Sequence, residues 1–205
     1  MVGGFLVHRD APGRRIEETW DHTGLRASGS HDVIFENTPI PEHHALAPRL
    51  PSAPQPPDPA MAVWSPVLTA AIYDAVARSA RDWFVQFLLD RKPANLGESL
   101  ATLPRFQELV GQIDGLLLQN RVLLESAAEG RLGAAHGGLV KHLVTENAIA
   151  AVEKAIAATG NPGLSRANPL QRHYRDVLCG RVHTPQADIV LTGAGKAAFA
   201  SLASN

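Results

Sequence analysis

Hydrophobic positions change their period once along this chain, and the change falls near residue 60. Before it, apolar residues come in short runs bounded by glycine, proline and asparagine, the pattern of strands. Residues 3–8 and 32–40 are two such runs, rich in Val, Ile and Phe. Residues 14–20 support a further strand, and residues 24–30 carry the small side chains of a tight connection. Three or so strands cover too little apolar surface to stand alone. Residues 1–47 therefore read as the incomplete end of a β-domain. Residues 48–59 hold six prolines, cannot be helical, and read as an extended connector.

Beyond the connector the spacing is helical. Val67, Ala71, Val76, Ala80, Phe84, Phe87 and Leu88 predict a helix from Ala60 to about Arg91, with Pro66 in its first turn or at an early kink. A second helix is predicted from about Leu103 to Glu129, carrying Leu109, Ile113, Leu116, Leu117, Leu123 and Leu124 on one face. The third runs from about Leu139 to Thr159 and stops at Gly160, where Gly-Asn-Pro-Gly follows. Asn168 as N-cap and Pro169 as first helical residue open a shorter helix, and residues 186–202 form the last. Long antiparallel helices with apolar faces make a four-helix-bundle-like domain over residues 60–205. The expected fold class is mainly α, with a partial β-domain in front.

Composition narrows the function classes. A net charge of −1 with scattered basic residues argues against nucleic acid and anionic membranes as partners. A single cysteine, Cys179, excludes an internal disulfide and fits a reducing compartment, and its apolar setting predicts a buried, inert thiol. The N-terminus lacks the basic and long apolar segments of a signal peptide, and no run reads as long enough to span a bilayer. A cytoplasmic protein is expected.

No autonomous catalytic motif is present: neither HExxH, nor a P-loop, nor GxSxG, nor paired CxxC occurs. His43 and His44 have no companion ligands at useful spacing, so metal binding is not expected. The dense region is residues 169–188, which puts Arg172, His173, Arg175, Asp176, Arg181 and His183 within twelve positions. Arg172, Arg175 and Asp176 at helical spacing suit an ion-pair network. His183 differs, because Thr184-Pro185 follows it and restrains it on a loop. A loop histidine presented to a pocket suits proton transfer near neutral pH.

Three stretches carry a family resemblance. Trp20-Asp21-His22-Thr23-Gly24-Leu25-Arg26-Ala27-Ser28-Gly29-Ser30, followed by residues 32–41, resembles the end of the middle β-domain of acyl-CoA dehydrogenases. The helix pattern with an arginine closing the first long helix, here Arg91, is similar too. Residues 168–185 resemble the family's P-x-x-R-x-x-R-D block. Together they cover nearly all of this chain and the rear half of the family's usual one. The family's glutamate after the R-D step is absent: that position holds Thr184, which is no carboxylate base. The R-D-x6-H arrangement ending at His183 resembles the flavin monooxygenase branch, where the histidine lies near the flavin.

The resemblance implies a flavin-dependent oxidoreductase acting on a small organic substrate by dehydrogenation or monooxygenation, with FAD as cofactor and reduced FMN as the alternative. A CoA-thioester dehydrogenase with its base elsewhere, or a non-catalytic oligomerising module, are the other readings. His183 is the implied proton-transfer residue. Arg91 is implied to contact the cofactor pyrophosphate across a dimer interface, which suits a guanidinium fork. Gln107 matches a neighbouring cofactor contact, and Gly160 survives from the family's Q-x-x-G-G turn, whose glutamine is lost. A homo-oligomer, dimer or tetramer, is expected. The N-terminal half that, in the family, holds the flavin ring leaves three readings open: a separate subunit supplies it, the chain is a truncated relative, or its role is non-catalytic.

Overall fold

The computed structural model describes residues 2–53 and 58–203 and divides into two units, residues 1–57 and 58–205. In the first, β1 (Val2–Phe5) pairs antiparallel with β4 (Ala45–Arg49), and β2 (Arg14–Glu17) pairs antiparallel with β3 (Asp32–Phe35). These are two separate two-stranded sheets. The register of the second sets Arg14 opposite Phe35 and Glu17 opposite Asp32. Apolar side chains along the strands, including Phe5, Ile16, Val33 and Phe35, stay exposed, as expected for strands without a covering layer. The connection at residues 24–30 is a single 3-10 turn, Arg26–Ser28, entered and left through left-handed Leu25 and Gly29. Trp20 organises it by donating from its indole to the Leu25 carbonyl at 3.1 Å and stacking on His22.

Strand β4 reaches Pro48 and Arg49, two residues into the stretch read as a connector. Proline is tolerated there because β4 pairs on one side only. The prolines at 54, 56 and 57 lie outside the described residues.

The second unit is helical: α1 (Pro59–Asp90), α2 (Pro104–Ala128), α3 (Gly137–Thr159), α4 (Asn161–Leu164), α5 (Leu170–Leu178) and α6 (Ala187–Ala203). Asp58 caps α1, its carboxylate accepting from the amides of Ala60 and Met61, with Pro59 preset at the first helical position. Pro104 opens α2 the same way. Helix α1 is central, packing on α2, α3 and α5, while α3 also packs on α2 and α5. The bundle's fourth long-axis position is thus filled by the short α5, and α6 lies against α3 with no buried residue.

Small residues set the close spacing. Ala70, Ala77 and Ala80 of α1 face a core shared with Ala148, Ala151 and Ala155 of α3. At Gly137 a Cβ would run into the Ala62 carbonyl and Pro66, so only glycine lets α3 begin against α1. The larger fillers are Phe84, Ile113, Ile149, Val144 and Val152.

Two local expectations are corrected. Asn168 does not cap α5: Pro169 already has helical angles and occupies the cap position, without a side-chain bond. The Asn168 amide instead donates to the Pro162 carbonyl at 2.6 Å, tying the α4 turn to the start of α5. Helix α1 is also long and apolar enough to cross a membrane by length and composition, contrary to the expectation that no run is. A bundle's central helix meets the same criterion, because its apolar side chains supply the core.

Candidate functional site

The loop after α5 is pinned from two sides. Tyr73, on the core face of α1 and 0% exposed, places its hydroxyl 2.7 Å from Nδ1 of His183. The two rings meet edge to face. From α3, the Lys141 ammonium donates to the carbonyls of Gly180 and His183, both at 2.6 Å. Lys141 is 2% exposed. Burial pushes its pKa below the ordinary lysine value, with Glu146 pulling the other way. Arg181 forks onto Glu146 at 2.9 and 2.7 Å, fastening the same segment to α3 again.

Gly180 makes this closeness possible. A Cβ there would lie 2.6 Å from the Thr145 methyl and 3.1 Å from the Tyr73 ring. The backbone after α5 therefore rests directly on the phenol, and His183 follows three residues on. His183 itself is exposed, with one ring nitrogen engaged by Tyr73. Burial, then the nearby Cys179 and Asp176, push the Tyr73 pKa well above the ordinary tyrosine value, so Tyr73 stays a neutral phenol.

The neighbouring groups are quiet. Burial lowers the His173 pKa, with Arg172 adding to the effect and Asp176 opposing it, which favours a neutral ring. Cys179 is half-buried rather than fully buried. Burial and then Asp176 raise its pKa, as an inert thiol requires. Arg175 directs its guanidinium onto Gln171 one turn back, at 3.2 and 3.0 Å.

Arg91, Gln107 and Gly160 fall elsewhere. Arg91 ends α1 with its amide on the Phe87 carbonyl and its own carbonyl accepting from Leu100. Its exposed guanidinium borders a groove of about 280 Å³ lined by Trp83, Gln86, Phe87 and Asp90, where Trp83 and Phe87 stack with their rings 17° apart. Gln107, in the first turn of α2, donates from its side chain to the Ala101 carbonyl at 3.0 Å and lines an apolar groove of about 300 Å³. Gly160 ends α3 at φ 64°, ψ −142°, with open space around its Cα. Residue 158 shares a groove with Arg105 and Gln112 of α2, so Gly160 lies toward the same end of the bundle as Arg91 and Gln107. His183 does not. Its anchor Tyr73 stands eighteen residues before Arg91 on α1, roughly 27 Å along the axis at 1.5 Å per residue. The structure thus groups Arg91, Gln107 and Gly160 at one end and sets His183 apart.

Sequence reasoning missed Tyr73 and Lys141. Their signal was present: both sit on the core period of their helices, Tyr73 between Ala70 and Ala77 and Lys141 before Val144 and Ala148. A lysine or tyrosine on that period needs a polar partner inside the fold. Also missed was a buried network across three helices. Asp74 accepts from Arg78 at 2.6 Å and from Asn120 at 3.0 Å, while Asn120 also donates to the Val144 carbonyl and accepts from Asn147. Among the described residues no group of three His, Cys, Asp or Glu side chains is placed to hold a metal.

Comparison with known proteins gives the family of this helical bundle. Residues 69–186 match the family described as acyl-CoA dehydrogenase, C-terminal domain, and the chain belongs to it. It is 36% identical to YdbM of Bacillus subtilis (strain 168), provisionally named an acyl-CoA dehydrogenase, over 98% of this chain and 53% of that one. It is 29% identical to the flavin-dependent monooxygenase oxygenase subunit HsaA of Rhodococcus jostii (strain RHA1), over 94% of this chain and 56% of that one. Among solved structures, KijD3 in complex with FMN and a dTDP-amino-keto sugar superposes with a TM-score of 0.77 at 26% identity, over 95% of this chain and 50% of that one. The chain spans about half the length of the curated relatives it matches.

Proposed function

We propose that this chain forms the helical part of a flavin-dependent oxidoreductase that dehydrogenates or oxygenates a small organic substrate. The observation that carries the reading is His183, exposed on a loop that Tyr73 and Lys141 hold from behind. A group that handles a proton must be both reachable and fixed, and His183 is both. When bound, the flavin supplies the redox chemistry; the chain's residues orient it and handle the proton.

The residues fit a flavin. Among the described residues the Arg91 guanidinium has no side-chain bond, and it borders a groove with a stacked aromatic pair, which suits a phosphate beside a flat ring. Gly160 leaves its backbone open to close approach. Gln107 spends one amide N–H on Ala101 and keeps the other N–H and its carbonyl oxygen for a ligand. FAD, whose pyrophosphate Arg91 would hold, is the favoured cofactor; reduced FMN is the alternative, and KijD3 is a relative seen in complex with FMN.

The separation of roughly 27 Å along α1 between the level of His183 and Arg91 supports a shared arrangement. Arg91 of one copy serves the flavin whose reacting end lies by His183 of another, so the working form is a homo-oligomer. Thr184 in place of a carboxylate, together with the likeness to a flavin-dependent monooxygenase, favours oxygenation. The likeness to YdbM supports dehydrogenation.

The test is titration of the full chain with FAD and with reduced FMN, following flavin fluorescence and absorbance, alongside Arg91→Ala. Saturable binding is expected, weakened in the variant by an amount equivalent to about 1–3 kcal/mol. Failure of both flavins to bind would overturn flavin binding by this chain alone, in favour of a non-catalytic helical module or of one half of a split enzyme whose partner completes the flavin cleft. Unchanged affinity in Arg91→Ala would remove Arg91 from the cofactor site.

A further inference from the structure

Among the described residues, Nδ1 of His183 at 2.7 Å is the sole hydrogen-bonding partner of the Tyr73 hydroxyl, and Tyr73 is 0% exposed. A hydroxyl holds one proton and must place it. If Nδ1 carried a hydrogen and donated to Tyr73, the phenolic proton would be buried without an acceptor. That arrangement is penalised by about tenfold or more. If Nδ1 is bare, the phenol donates to it and no buried donor is left unmet. The proton of the neutral imidazole then belongs on Nε2, at the far edge of the ring. Among the described residues nothing accepts from Nε2, and the side chain is exposed.

We propose that Tyr73 is a positioning residue that fixes His183 as its Nε2–H tautomer, so that the imidazole offers a hydrogen-bond donor, not an acceptor, to whatever binds beside it. The ligand chemistry follows: an electron-rich oxygen, such as a phenolate, an enolate or a carbonyl accumulating negative charge, suits that edge. A ligand arriving with its own proton to give meets a nitrogen that is already protonated.

Three features keep the device in register. Lys141 holds the His183 carbonyl from the opposite side of the loop, and the His183 amide donates to the Cys179 carbonyl at 3.2 Å. The missing Cβ at Gly180 lets the backbone settle onto the Tyr73 ring. These contacts fix the backbone from which the imidazole projects, and the ring itself is held by the Tyr73 hydroxyl and its edge-to-face contact with the phenol.

The tautomer rests only on this geometry; its consequence for the ligand rests on the reading of His183 as the proton-handling group. The two are separable by experiment. Full-length chain labelled with 15N-histidine is examined by long-range 1H–15N correlation above the histidine titration range, with His183 assigned by its loss in His183→Gln. The expected wild-type signature is a bare, pyridine-type Nδ1 and a protonated Nε2, dominant by about tenfold or more. In Tyr73→Phe, whose backbone spectrum reports that the fold is kept, the preference should fall to the weaker Nε2–H preference of an unconstrained histidine. A protonated Nδ1 in the wild type would overturn the proposal, as would an unchanged preference in Tyr73→Phe. Failure of His183→Gln to alter turnover of the flavin-loaded protein would sink the catalytic reading and leave the tautomer standing.

Discussion

Replacing Gly180 by alanine tests whether the His183 loop really rests on Tyr73. The added Cβ would sit 2.6 Å from the Thr145 methyl and 3.1 Å from two Tyr73 ring carbons. Carbon pairs are comfortable at about 3.5–4.0 Å, so the new methyl is roughly 1 Å too close to one neighbour and several tenths too close to the other. Neither can retreat: Thr145 is 2% exposed and Tyr73 0%. Overpacking of this kind costs about 1–3 kcal/mol. Alanine returns roughly 0.5–1 kcal/mol by restricting the unfolded chain, leaving a net loss of up to about 2.5 kcal/mol. Gly115→Ala in α2 is the matched control, since nothing lies within 4 Å of its Cβ position. It should gain the alanine benefit without the clash. Urea unfolding of both variants gives the difference directly, expected at about 1–3 kcal/mol. Equal stability for Gly180→Ala and Gly115→Ala would refute the close approach, and with it the pinned loop.

Further outcomes follow from burial. Phe84, 0% exposed, should lose about 3–5 kcal/mol of stability as Phe84→Ala in the same urea assay. Lys141 has a depressed pKa in the folded chain, so between that value and the ordinary one near 10.5 the unfolded chain holds more protons. Folding stability of the wild type, measured against Lys141→Met, should therefore rise with pH across that window; a flat or falling difference would contradict the burial of the charge. Cys179, its pKa raised by burial and Asp176, should react with iodoacetamide more slowly than a free thiol at pH 8 in the folded protein, and at the free rate once unfolded.

The long helices were legible because their apolar positions repeat over many turns, as at Ile113 and Leu117 or Ile149 and Val152. The phase of α1 was read less well: Ala71 and Val76 are half-buried, while Tyr73 and Asp74 take the core. Periodicity averages over side-chain type and passes over polar residues that the core accepts through hydrogen bonds. Strand β4 went unseen because Pro48 and its neighbours resemble a connector, and pairing with β1 some forty residues away leaves no local trace. Asn168 was misread because its preference for a helix cap was outcompeted by a carbonyl brought near by the α4 turn. His183 was legible from the Thr-Pro that follows it. Tyr73 was not, since 110 positions separate it from His183 and only the fold joins them.

The Asp74–Asn120–Val144 network has a consequence for alignment. Faces built largely of alanine and valine are smooth, and smooth helices can slide along one another with little change in apolar contact. Here a carboxylate on α1 meets an amide on α2, and that amide meets a main-chain oxygen of α3. A slip of one turn, about 5.4 Å, would strand the carboxylate in an apolar groove at a cost of several kcal/mol. A few polar atoms thus act as a keyway, selecting one longitudinal setting from several that the apolar surfaces alone would accept. That setting brings the level of Tyr73 opposite Gly180.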